Sequence, residues 1–452
     1  MPPRLWRHGL LAAASCLLLP LPARALEEVV VALPLLHESI RLNLSELRSP
    51  EALINGNSDL AELDRASKGA LGRKLLKLFN HPLPANVRQL GEAAVGSPLL
   101  EQALLFVSSL GTVEGQQADL SGERLKQALE RASAAAPNGQ PTLLQLMQAI
   151  PGKRVRIDLG RAQFVLARMA RHHSEADRLM ASVPAAPAAP AANLSAALQI
   201  THQQLPVGHR PEPLQLEIIQ PANGGNGRLV LISHGLWDSP LNFEGWGRVL
   251  AAQGYTVVLP RHPGSDNSQQ QAVLSGQAAP PSAAELGLRA LDLQAINDGV
   301  AHHTISGINE VDASRVVVIG HSWGATTALQ LAGVKPDDSQ LLKRCSNVDD
   351  PDRNLSWTLQ CSWIRGVNQA GIVDPRVIAV AAVSPPVSLL FPHGSGRLMN
   401  GRILLVSGTD DWVVPPDPEA IAPFAVAAAR GHQLVLVQGG DHFNLRSGKA
   451  PN

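Results

Sequence analysis

Ser322 is set in Gly320-His321-Ser322-Trp323-Gly324, directly after the apolar run 315–319 and before the helix-forming stretch 325–333. A strand, a serine with glycines two places away on each side, and a helix make the order that a nucleophile elbow requires. The turn is so tight that those two places have no room for side chains, and the hydroxyl is pushed out at the carboxyl edge of a sheet. A serine hydroxyl is a poor nucleophile at neutral pH. It needs an adjacent base, and the base needs an acid that fixes its tautomer. Alone, the pattern also describes a plain glycine-rich βα turn, so its meaning depends on the residues that accompany it.

Both partners follow the serine. Gly408-Thr409-Asp410-Asp411-Trp412-Val413-Val414-Pro415 comes after the apolar run 403–407, and Gly439-Gly440-Asp441-His442-Phe443 comes after the run 433–437. Ser, Asp and His therefore fall on the carboxyl ends of successive predicted strands, the chain order expected for a serine hydrolase on an α/β sheet. The spacing Gly-x-x-Asp-x-x-Val-Pro, usual in such enzymes, selects Asp411 to orient the base and leaves Asp410 as a turn residue. Asp441 adjoins His442 in the chain and is poorly placed to reach the correct ring nitrogen. A tetrahedral intermediate also needs two backbone N–H donors. Trp323, after the nucleophile, is the first candidate. Leu236 is the second, because His234-Gly235 at the end of the run 229–233 lets the backbone bend over the serine.

These pieces carry a resemblance. From Leu229 to about Arg446 the chain resembles the α/β-hydrolase superfamily, and within it the branch of platelet-activating-factor acetylhydrolases and bacterial dienelactone-hydrolase-like proteins. The residues concerned are Ser233-His-Gly-Leu236, Arg261-His-Pro-Gly-Ser-Asp266, the elbow, and the late Asp and His loops. Residues 33–45, Leu-Pro-Leu-Leu-His-Glu-Ser-Ile-Arg-Leu-Asn-Leu-Ser, resemble the uncharacterised helical region that precedes this domain in cyanobacterial hydrolases, which carries no known chemistry. The resemblance implies cleavage of esters without a metal or organic cofactor. One departure matters: dienelactone hydrolases use a cysteine nucleophile where this chain has Ser322, so their substrate is not carried over. Loop 261–266 lies at a carboxyl strand end, so His262 and Ser265, with Trp237, are candidate substrate contacts. A purely structural turn is the alternative for that loop.

With 452 residues the chain is long enough for two domains, and 45% hydrophobic and 17% charged residues suit a protein with real cores. Basic and acidic residues balance at 38 each, which argues against nucleic-acid binding. Arg4, Arg7 and His8, an apolar stretch 9–21 and Ala23-Arg24-Ala25 read as a signal peptide over 1–25, so the expected location is periplasmic or extracellular. Lipid attachment at Cys16 is the weaker alternative, since Ala13 is a poor residue three places before a lipidated cysteine. Export would leave Cys345 and Cys361 in an oxidising compartment. That favours a disulfide over two unpaired buried thiols.

A Pro/Ala tract at 183–195 cannot build a core and reads as a spacer between a mainly helical domain (26–182) and a catalytic domain (196–452). Beyond it, seven apolar runs alternate with helical stretches, several without polar alternation, as in a parallel sheet buried on both faces. The predicted fold is an α/β-hydrolase domain, a mostly parallel sheet with helices on both faces, after a smaller mainly helical domain. The long connection 335–374 holds both cysteines, Trp357 and Trp363, and predicts a disulfide-braced lid with an apolar lining. No His/Cys/Asp/Glu spacing resembles a metal site. Asp349-Asp350-Pro351-Asp352 reads as a solvated acidic loop before a calcium loop. His302, His303, His393 and His432 read as surface or helix-end residues, and His321 as local packing inside the elbow.

The sequence thus points to an exported serine carboxylester hydrolase acting on a small-molecule or lipid ester, with transient membrane-surface contact allowed. The same triad could serve an amidase or peptidase. An inactive partner-binding protein is a third reading that the apparent triad opposes.

Overall fold

The structure, a computed structural model, describes residues 25–33, 37–83, 86–186, 196–308, 310–391, 401–427 and 431–446. The expected signal peptide with Cys16, most of the Pro/Ala tract, and His393 lie outside them. The chain divides into two compact units, one of residues 1–84, 111–117 and 127–158, the other of 85–110, 118–126 and 159–452.

In chain order the first half runs β1 (Glu28–Leu33), β2 (Glu38–Asn43), α1 (Pro50–Ile54), α2 (Asp59–Ala66), α3 (Ala70–Phe79), α4 (Val87–Ala94), α5 (Pro98–Leu110), β3 (Gly111–Val113), α6 (Glu123–Ala135), α7 (Leu143–Ala149), β4 (Arg154–Asp158), α8 (Leu159–Arg171) and α9 (Ser174–Ser182). The smaller unit is not merely helical: it holds a four-stranded sheet in the order β2-β1-β4-β3. Arg154-Val-Arg-Ile-Asp158 alternates polar and apolar residues, so the signal for β4 was present in the sequence. Local capping chemistry starts the helices. Ser58 accepts from Ala61 N ahead of α2, and Thr142 and Gln145 form a capping box at α7.

The unit boundary also departs from the expected one. α4, α5, α8 and α9 belong with the larger unit, where α5 packs on α15 and α4 on α11 (ranges below). A Pro/Ala tract marks where the chain cannot pack. It does not say which side its neighbours join.

The larger unit continues with β5 (Leu198–Leu205), β6 (Leu214–Pro221), β7 (Leu229–Ser233), α10 (Glu244–Ala252), β8 (Thr256–Pro260), α11 (Asn267–Leu274), α12 (Glu285–Ala301), β9 (Val316–His321), α13 (Trp323–Leu331), α14 (Ser339–Arg344), α15 (Ser356–Ser362), β10 (Val377–Val383), β11 (Arg402–Gly408), α16 (Ala422–Ala427) and β12 (Gln433–Val437). Its eight strands form one sheet in the order β12-β11-β10-β9-β7-β8-β6-β5. β7 to β12 are parallel, and β6 runs antiparallel to both its neighbours, β5 and β8.

Strand periodicity sends alternate residues into two cores. Leu229, Leu231 and Val258 join Leu286, Ala290, Leu293 and Ile296 of α12 and Ala325 and Ala328 of α13. Val230, Ile232, Val257 and Leu259 meet Phe243 and Ala251 on the opposite face. Burial of both faces explains the non-alternating apolar runs, each such side chain contributing about 1.5–3 kcal/mol.

The long connection is part of this core. The disulfide Cys345–Cys361 is formed, with Cα atoms 5.7 Å apart, and both cysteines are buried. Trp357 and Trp363 pack inside the main core, the latter against Trp323 with ring centroids 5.1 Å apart. The fully buried Glu419 carboxylate accepts from Asn354 Nδ2, Ser356 Oγ and Gln360 Nε2 of the connection. It also accepts from the amides of Val387 and Ser388 at 2.7 and 2.8 Å. The insertion, expected as an apolar-lined lid, here turns its two tryptophans into the core. Among the described residues no single helix is long and apolar enough to cross a membrane.

Candidate active site

Ser322 follows β9 and caps the start of α13 with φ 53° and ψ −124°, the strained backbone of an elbow. A Cβ on Gly320 would collide with the Gly324 carbonyl, and one on Gly324 would collide with the Ser233 carbonyl at the end of β7. The two glycines thus let the elbow fold on itself and press against the neighbouring strand. Ser322 is 6% exposed, and its amide donates to Val383 O at 2.8 Å.

The late loops meet. His442 Nδ1 lies 3.0 Å from Asp411 Oδ2, while Asp411 Oδ1 accepts from the amides of Val413 and Val414 at 3.0 and 2.8 Å. Asp411 is fully buried, whereas Asp410 is exposed, its carboxylate accepting from Thr409 Oγ1 and its amide donating to Gly440 O at 2.9 Å. Asp441 turns to the amides of Phe443 and Asn444, as a loop-capping residue does. His321 Nε2 donates to His442 O at 2.9 Å, and the two rings lie 4.8 Å apart, which brings the histidine loop onto the elbow. Among the described residues no hydrogen bond joins Ser322 Oγ to His442 Nε2. In unliganded sites such bonds are often long and tighten on binding.

The first-half helices of this unit brace the acid loop. His173 Nδ1 donates to Thr409 O at 2.7 Å, with its ring 4.7 Å from that of Trp412. The Asp417 carboxylate caps α9 by accepting from Glu175 N and Ala176 N, both at 2.9 Å.

Of the expected donors, Trp323 N sits at the first position of α13, where an amide has no intrahelical acceptor. The loop leading to Leu236 passes directly over the serine: a Cβ on Gly235 would lie 3.1 Å from Ser322 Cβ. Trp237 is half-buried, with Nε1 donating to Gln269 Oε1 at 2.6 Å, so a face remains for a substrate contact.

His262 and Ser265 are different. Both are 0% exposed, and both His262 ring nitrogens are taken, one by Ser233 Oγ at 2.9 Å and the other by Asp292 Oδ2 at 2.8 Å. So buried, neither side chain is open to a substrate, and the structural turn is the alternative that their placement fits. α12 covers them, and nothing in the local sequence reveals that cover. His432, expected at the surface, is 7% exposed and accepts from Ile403 N at 3.1 Å through Nδ1.

Among the described residues no group of His, Cys, Asp and Glu could hold a metal ion. The acidic loop 349–352 is occupied by arginines instead: Arg344 pairs with Asp350 and Asp352, and Arg161 with Asp349.

Residues 228–345 match the family model described as alpha/beta hydrolase fold. The unit has the α/β-hydrolase fold. Beyond the matched stretch, β11 and β12 of the same sheet carry the acid and histidine loops. Comparison with the curated proteins gives no match. Among solved structures, the chain is similar to a candidate dienelactone hydrolase of Klebsiella pneumoniae subsp. pneumoniae at 16% identity and TM-score 0.37, covering 56% of this chain and 91% of that one. It is also similar to the acylaminoacyl peptidase of Pyrococcus horikoshii at 12% identity and TM-score 0.35. There the match covers 54% of this chain and 38% of that one.

Proposed function

We propose that this α/β-hydrolase is an exported serine carboxylester hydrolase. The observation that supports the reading is the hydrogen-bonded pair of buried Asp411 and His442, whose loop lies against His321 beside the strained Ser322 elbow. Asp411 holds the imidazole with Nδ1 protonated, which leaves Nε2 free to take the serine proton. Ser322 Oγ attacks the acyl carbon, the Leu236 and Trp323 amides receive the oxyanion, and His442 protonates the departing alcohol. Water, activated by the same imidazole, releases the acid from the acyl-enzyme. The chemistry requires no further group.

Trp412 and Phe443, 45% and 60% exposed, each follow a triad residue in the chain. An apolar small-molecule or lipid ester, met with a transient contact at a lipid surface, is the substrate class this reading carries. The Cys345–Cys361 bridge supports an oxidising compartment, periplasmic or extracellular.

The test is hydrolysis of nitrophenyl esters of graded chain length, run beside the corresponding anilides. Ser322→Ala is expected to abolish turnover. Retention of more than about a tenth of wild-type kcat, against the 10³-fold or larger loss such a nucleophile deletion brings, refutes the assignment. Faster cleavage of the anilides would move the substrate class to amides.

A further inference from the structure

A serine, a histidine and an aspartate are also joined by hydrogen bonds elsewhere in this unit. Ser233 Oγ donates to His262 Nε2 at 2.9 Å, and His262 Nδ1 donates to Asp292 Oδ2 at 2.8 Å. All three residues are 0% exposed, so this set has no access to a substrate. Its attachments show what it holds. Ser233 ends β7, and the His262 amide donates to His234 Nε2 at 3.1 Å. Arg289, on the same face of α12 three residues before Asp292, donates through Nη2 to His234 O, and its guanidinium lies 5.0 Å over the Trp323 ring.

Buried groups fix the protonation of this network. Burial lowers His262 to about 4, so at neutral pH its Nε2 accepts. Burial lowers Arg289 to about 9, which still leaves it charged. Burial alone would raise Asp292, but hydrogen bonds from His209, His262 and Arg210 hold it well below the usual range. Arg210 reaches Asp292 through Nε at 2.9 Å and Nη2 at 2.7 Å, and Glu285 through Nη1 at 2.7 Å.

We propose that Arg289 and the Ser233–His262–Asp292 relay are positioning residues that hold the 233–236 loop, and with it the Leu236 amide, in the geometry that receives the oxyanion. The inference rests on the serine hydrolase reading. It explains why Ser233, His262, Arg289 and Asp292, from three segments, are buried together with no exposure of their own. It also explains why the elbow packs against this point: the Ser233 carbonyl is what a Cβ on Gly324 would strike. A donor displaced by a fraction of an ångström loses most of its value in the transition state while substrate binding is little changed.

The experiment compares Ser233→Ala and Arg289→Gln with wild type and with Ser322→Ala. The readouts are kcat and KM on a short acyl nitrophenyl ester and the inhibition constant of a trifluoromethyl ketone, which adds serine to form the tetrahedral oxyanion. Ser233→Ala removes one oxygen and keeps the fold, which the melting temperature checks. It should lower kcat about tenfold or more with KM within about twofold, and weaken the ketone by a matching factor. Arg289→Gln should do the same more strongly. Unchanged kcat and ketone affinity in folded Ser233→Ala overturn the proposal. A rise in KM alone overturns it too. Turnover retained by Ser322→Ala overturns the hydrolase reading itself and is read from a separate variant.

Discussion

Asp411 Oδ2 meets His442 Nδ1 at 3.0 Å, while the adjacent carboxylate of Asp410 stays exposed in its own loop. Two neighbouring aspartates thus differ in burial, in partner and in what they can do for the imidazole. Asp411→Asn should lower kcat by about 10³- to 10⁴-fold, because the wrong tautomer is then held. Asp410→Asn should stay within about twofold. Steady-state ester hydrolysis separates the two, and equal losses would reassign the acid.

Gly324→Ala tests the elbow. The added methyl meets the Ser233 carbonyl, so either the elbow or β7 must shift. A loss of at least 100-fold in kcat is expected from so direct a displacement of both oxyanion donors. Near-wild-type turnover would show that the elbow is not the reacting centre.

Glu419 ties the insertion to residues 387–388, which follow β10. Removing this buried acceptor leaves the donors of Asn354, Ser356, Gln360, Val387 and Ser388 without it. Glu419→Ala should cost at least about 3 kcal/mol, read as a lower denaturant midpoint. An unchanged midpoint would mean that the insertion is free to move, as a lid is.

Much of this was legible in the sequence, for physical reasons. Seven strands of the large sheet announce themselves as largely apolar runs, and the central ones, β7 and β8, do so because both faces are buried. The elbow, Asp411 and His442 are legible because tight turns demand glycine at set places. β5, Leu-Gln-Ile-Thr-His-Gln-Gln-Leu over 198–205, escaped because an edge strand can be largely polar. Asp292, Arg289 and Glu419 lie inside or beside helices and act on partners 30 to 65 residues away. No local pattern encodes such pairings. His262 misled for the same reason: a strand-end loop is usually exposed, and only the position of α12 buries it.

Reduction of Cys345–Cys361 opens a link of sequence separation 16. A loop of that size contributes about 3 kcal/mol. Because both cysteines are 3% exposed, dithiothreitol should act slowly without denaturant and then lower the melting temperature. Fast reduction without loss of stability would contradict the buried placement.

Stability should fall with acid. His262, at about 4 in the folded protein against an ordinary 6.5, binds a proton more readily once unfolded. Its contribution is complete above about 6.5 and is lost as the pH falls towards 4, up to about 3 kcal/mol. His234 and His321, lowered by burial, act in the same direction, while Glu217 and Glu285, raised by burial, offset part of it. The denaturant midpoint at pH 5 should lie below that at pH 7.5, with protons taken up on unfolding. A flat profile would contradict the neutral, buried histidines.

The most direct measurement is covalent labelling by a fluorophosphonate, followed by mass spectrometry of the digested protein. The account predicts a single adduct on the peptide containing Ser322, absent in Ser322→Ala and strongly slowed in His442→Ala. An intact, folded protein that takes no label, or takes it elsewhere, would contradict it.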